Sequence, residues 1–161
     1  MKMIIELVEE YLTSQGWTIS RNPEQDWLML DVITDNAEWR CDINADEEQK
    51  VIFVHSICPL KAPADKQTRM AEFLMRVNRV IYLGHFFMDY DTGGIQFETY
   101  LYVDENGLNP DAMESAIGRN IAMMDTYLAG ITKIVSTETT PADALAEILS
   151  GKPADRGYIY N

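Results

Sequence analysis

Met70 to Val103 constrains this chain more than any other stretch, because its hydrophobic period changes from that of a helix to that of a strand within a few residues. Met70, Phe73, Leu74, Val77, Val80 and Ile81 recur at helical spacing, with Arg69, Glu72, Arg76 and Arg79 between them on the opposite side. One face is buried and the other wet. Gly84 can stop this helix in a left-handed conformation, and the residues that follow, HFFMDYD, TGG and IQFETYLYV, are two β-rich runs around a glycine-bearing turn. The expected unit is a helix folded back over a two-stranded hairpin.

The flanks extend the same logic. Met3, Ile4, Leu7, Val8, Tyr11 and Leu12 form a first helical stripe ended by Gly16. Trp17 and Ile19 lead through an Asn22-Pro23 turn into an apolar strand from Trp27 to Ile33. In the next strand Ala37, Trp39, Cys41 and Ile43 alternate with Glu38, Arg40, Asp42 and Asn44, which places the second set toward solvent. Val51 to Ile57 is more continuously apolar and reads as a strand covered on both faces. Pro59 and Pro63 oppose its continuation, and Asp65 is the expected N-cap of the central helix. Asn109-Pro110 sets a cap and a proline at the start of a long helix reaching about Val135, within which Gly118 and Gly130 suggest close packing. Thr140-Pro141 opens a last short helix closed by Gly151. The predicted class is α+β in the order α-βββ-α-ββ-α-α, an antiparallel five-stranded sheet with its helices mainly on one face. Residues 1–151 read as a single domain and 152–161 as a polar tail.

Composition narrows the partners. Thirteen basic against twenty-six acidic residues leave a formal charge of −13, which repels phosphate backbones and anionic lipid, so neither nucleic acid nor a membrane is an expected partner. The N-terminus carries Glu6, Glu9 and Glu10 where a signal sequence needs an apolar run, and no stretch is long and apolar enough to span a bilayer, so a cytoplasmic location is expected. Cys41 and Cys58 lack CxxC spacing and read as reduced thiols.

No catalytic pattern emerges. Asp89 to Gly94 opens like a calcium loop, but Gly93 stands where a third side-chain oxygen is needed and Tyr100 where a bidentate carboxylate is needed, so a hairpin turn is the better reading and no metal is expected. His55 and Cys58, three apart on a strand, point to opposite faces and cannot form a nucleophile and base. His85 stands alone. No cofactor is implied. The stronger candidate is an apolar surface: with Ile95, Phe97, Thr99, Leu101 and Val103 facing the core, Tyr100 and Tyr102 turn to the other side of the sheet, where exposed aromatic groups favour protein contact. Phe87 on the first hairpin strand and the helix around Val77 complete the candidate partner-binding or dimer surface.

The run Met75-Arg76-Val77-Asn78-Arg79, then Gly84-His85-Phe86, the Asp91 to Phe97 hairpin and Thr140-Pro141-Ala142-Asp143-Ala144-Leu145, in this order, resembles the YbjN-domain family, whose members are similar in fold to type III secretion chaperones. The resemblance spans most of the chain, leaving out Pro59 to Asp65 and the tail. It implies an α+β fold, a homodimer without catalytic activity, and a role in binding or chaperoning a protein partner or in regulation; it supplies no catalytic residues. A small-molecule sensor or enzyme with a pocket between the central helix and the sheet is the competing expectation.

Overall fold

The computed structural model describes residues 1–151; the predicted tail, 152–161, lies outside the described residues. In chain order the elements are α1 (Ile4–Ser14), β1 (Ile19–Asn22), β2 (Trp27–Ile33), β3 (Glu38–Asp46), β4 (Val51–Lys61), a short 3-10 turn (Ala64–Lys66), α2 (Gln67–Val80), β5 (His85–Met88), β6 (Gly94–Tyr102), α3 (Pro110–Ser136) and α4 (Pro141–Gly151). The strands form one antiparallel sheet in the order β1-β2-β3-β4-β6-β5. The α+β class is as expected, with a sixth strand added: Ile19–Asn22 pairs with β2 as the first arm of a hairpin around Asn22-Pro23.

One face of this sheet is the core. Leu28, Leu30, Cys41, Ile43, Ile52, Val54, Ile95 and Phe97 lie there with Ile5, Val8 and Leu12 of α1, Phe73 and Val77 of α2, and Met124 and Ile131 of α3. Polar groups buried in this layer fix how α3 sits on it. Asn120 donates from its amide to Val54 O at 2.7 Å and Phe97 O at 3.0 Å, and the Thr99 hydroxyl donates to Ala116 O at 2.9 Å. Each bond is legal only in one register of helix on sheet, so the polar contacts add specificity that apolar packing alone would not.

One helix start uses a partner far away in sequence, and two others are capped locally. The first amides of α1, Ile4 and Ile5, donate to the Glu47 carboxylate from the β3–β4 turn at 3.0 and 3.2 Å, an anion at a helix N-terminus. Asn109 caps α3 as expected, accepting from the Ala112 amide at 3.1 Å, and Thr140 accepts from the Asp143 amide at the start of α4. Asp65 does not cap α2: it sits within the preceding 3-10 turn, and Lys66 holds the cap position without a side-chain bond.

The central helix also ends earlier than expected. It stops at Val80, and Leu83 (φ 37°) and Gly84 (φ 101°) together make the turn into β5. A Cβ on Gly84 would lie 2.7 Å from Glu98 O, so the absence of a side chain lets this turn press against β6. Pro59 does not end β4 either. The strand runs on to Lys61 through a register shift between Ile57 and Lys61, the kind of irregularity that tolerates a missing N–H.

Candidate partner-binding face

The second face of the sheet carries no helix among the described residues. Its side chains are read directly from the pairing. Directly opposite one another across β3, β4 and β6 stand Asp42, His55 and Glu98, with His85 of β5 next to Glu98. A row on one side holds Phe53 and Tyr100, and a row on the other holds Ile57, Gln96 and Phe87. The face is thus a polar stripe between two rows in which apolar and aromatic side chains stand among polar ones.

Aromatic contacts tie the rows together. The rings of Tyr100 and Tyr102 meet edge to face at 5.9 Å, Phe53 lies 6.4 Å from Tyr100 and stacks on His55 at 6.2 Å, and Phe87 lies 6.4 Å from His55 and 5.8 Å from His85. Tyr100 is 51% exposed and Tyr102 71%. Within the stripe, His55 Nε2 and Glu98 Oε2 are 2.6 Å apart, and His85 Nε2 lies 4.0 Å from the other carboxylate oxygen. Arg40 grips Asp42 with both Nε and a terminal nitrogen, at 2.8 and 2.9 Å. Such bonds hold the polar side chains in fixed positions while leaving the large rings outward, the combination that lets a surface bury area at small entropic cost.

The structure therefore brings three of the four anticipated residues, Phe87, Tyr100 and Tyr102, onto one surface. Val77 is a correction. Its side chain has no exposure and packs in the core, because the stripe that buries Met70, Phe73 and Leu74 also turns Val77 inward. Asp42 is another: it lies on the expected face but is buried, covered by the Arg40 that binds it. Phe53, His55 and Ile57 are hidden by the near-continuous apolarity of β4, which reads as a strand covered on both sides; Ile52, Val54, Ser56 and Cys58 are covered, as is Val51 at the start of the strand, whereas Phe53, His55 and Ile57 are partly exposed. His85 is not isolated, since the hairpin register sets it against Glu98.

Other chemical candidates resolve into structure. His55 and Cys58 face opposite sides of β4, and burial pushes the Cys58 thiol up to about 11 and that of Cys41 up to about 12. Asp89 Oδ1 accepts from the Asp91 amide at 2.8 Å and Gly93 N donates to Asp89 O at 2.7 Å, so the calcium-like segment is a self-bonded hairpin turn. Among the described residues no three ligating side chains gather as a metal site, and no helix is long and apolar enough to cross a membrane. Between α2 and β5 there is a groove of about 220 Å³ against Leu74, Asn78 and Phe86, but its one amide is engaged: Asn78 donates to Phe86 O at 2.9 Å and accepts from Phe86 N at 2.8 Å.

Residues 5–133 match the family model YbjN, described as "Putative bacterial sensory transduction regulator". The chain belongs to the YbjN family. The crystal structure of YbjN from E. coli superposes with a TM-score of 0.60 at 12% identity, covering 75% of this chain and 85% of that one, which shows that the YbjN fold is shared. The ExsC-ExsE complex and the HopA1-SchA chaperone-effector complex align over 78% of this chain at 13% identity, covering 90% and 89% of theirs, with TM-scores of 0.47 and 0.46. No curated protein matches.

Proposed function

We propose that this YbjN-family chain is a non-enzymatic protein-binding module, chaperone-like or regulatory, that works in the cytoplasm as a homodimer and holds a segment of a partner protein. In this reading residues 1–151 act as one domain. The observation that carries it is the helix-free face, on which Phe53, Phe87, Tyr100 and Tyr102 expose linked rings around hydrogen-bonded polar groups. Large rings at a solvent boundary are the side chains that most often dominate binding energy at protein contacts.

The test replaces both tyrosines. Tyr100→Ala with Tyr102→Ala is expected to weaken the dimer or the captured partner at least tenfold, since each buried interface ring is commonly worth more than about 1 kcal/mol. Light scattering reads the dimer and titration reads the partner. Unchanged values in both would remove this face from the function.

A further inference from the structure

The two hairpin strands differ in length, and the difference leaves a gap in the sheet. β6 runs from Gly94 to Tyr102, but β5 accompanies only Ile95 to Glu98 before Gly84 and Leu83 turn away. Thr99 to Tyr102 therefore have β4 on one side and no strand on the other.

Strand alternation says which backbone groups face the gap. The Val103 amide donates to Lys50 O at 2.8 Å, on the β4 side, while Gly94 O accepts from the Asp89 amide at 2.9 Å on the β5 side. Odd-numbered residues of β6 thus direct their N–H and C=O to β4, and Tyr100 and Tyr102 direct theirs into the gap. No hydrogen bond among the described residues takes up those groups on that side. The outer edge of β5 is different, because the Asn78 amide satisfies both polar groups of Phe86 there. One edge is plugged and its neighbour is open.

Beside the open edge lies a cleft of about 280 Å³, lined by Leu83, Leu101, Ala112 and Ala116 with Gly84 at one end and with Ser115 and Arg119 of α3 on its wall. Its lining is mostly apolar, and α3 supplies the polar part. We propose that an extended peptide segment of a partner protein adds to β6 at Thr99–Tyr102 as a short extra strand, an inference that rests on the protein-binding reading above. The four-residue edge is roughly 14 Å long, so it engages about four residues of the incoming chain. Alternate side chains of that segment enter the cleft and lie beside Tyr100 and Tyr102. Exposed Asp104 and Glu105 sit where β6 ends, so a basic residue at that end of the segment is favoured. The charge of −13 likewise favours a cationic segment over a second copy carrying the same charge.

The experiment selects binders to the full chain from a random dodecapeptide library and synthesises the best one. The expected binders alternate apolar residues at a period of two and carry Lys or Arg at one end. Because the Tyr100 amide points into the gap, Tyr100→Pro removes that donor without touching the β4 ladder, and it is expected to bind the peptide at least tenfold more weakly than Tyr100→Ala. Should Tyr100→Pro fail to fold, N-methylation of the peptide at residues facing β6 removes the same class of bond from the other partner, with the same expected loss on the wild-type chain. Recovery of no binder, helical spacing in the binders, or equal affinities with and without N-methylation overturns the proposal. So does a halving of the mass in light scattering for Tyr100→Pro but not Tyr100→Ala, which would make a second copy the occupant. If Tyr100→Ala with Tyr102→Ala abolishes peptide binding while N-methylation does not affect it, the face remains a binding surface and only strand addition fails.

Discussion

At the scale of single residues, the buried thiols make a pH prediction. An ordinary thiol titrates near 9, and burial in the core raises Cys41 to about 12 and Cys58 to about 11. The folded protein therefore holds these protons more tightly than the unfolded chain. Their contribution is complete below pH 9 and is lost as pH rises from 9 toward 11 and 12. Chemical denaturation across that window should show stability falling by up to about 1.4 kcal/mol per pH unit for each thiol, and Cys41→Val with Cys58→Val should flatten the fall. Asn78 makes a second prediction. Removing its amide in Asn78→Ala leaves the Phe86 N–H and C=O without their partner, at an expected cost of about 2 kcal/mol in urea denaturation. The same change bares the β5 edge, so the variant should also form assemblies larger than the parent's in sedimentation. The sequence shows Asn78 only as a polar residue near a helix end, because its partner lies across a turn.

At the scale of elements, two glycines of α3 that look alike in sequence should behave oppositely. A Cβ at Gly130 would lie 2.3 Å from the Phe73 ring and 2.9 Å from Ile148, so α2 and α4 close on the helix there. Gly118 is exposed with nothing within 4 Å. Gly130→Ala should cost about 1–3 kcal/mol through overpacking, whereas Gly118→Ala should gain about 0.5–1 kcal/mol from helix propensity, both read from thermal melts. Close packing, expected at both, is found at one. Helices and hairpins were legible because their periods are long enough to see: Asn109-Pro110 marks the start of α3 to the residue. β1 was not, since four residues ISRN show no apolar alternation and gain their pairing only from β2. Pro59 misled for a similar reason, as a register shift is a property of two strands and cannot be read from one.

At the scale of the whole molecule, the rule that strands bury one side accounts for the candidate face. The outward Tyr100 and Tyr102 followed from β6 alone, whereas the union of Phe53, His55, Glu98 and Phe87 required the order β4-β6-β5, which no local pattern contains. The anchoring of α1 by Glu47 has a consequence in time. The amino-terminal helix is synthesised first, yet the carboxylate that receives its leading amides belongs to a turn some forty residues later. An eleven-residue helix is too short to persist alone in water. It should therefore mature after the β3–β4 hairpin, and pulse-labelling hydrogen exchange during refolding should show α1 amides gaining protection later than those of β3 and β4. Glu47→Gln should delay that step and leave the hairpin's own protection on schedule, making this carboxylate a clock for when the first-made part of the chain becomes permanent.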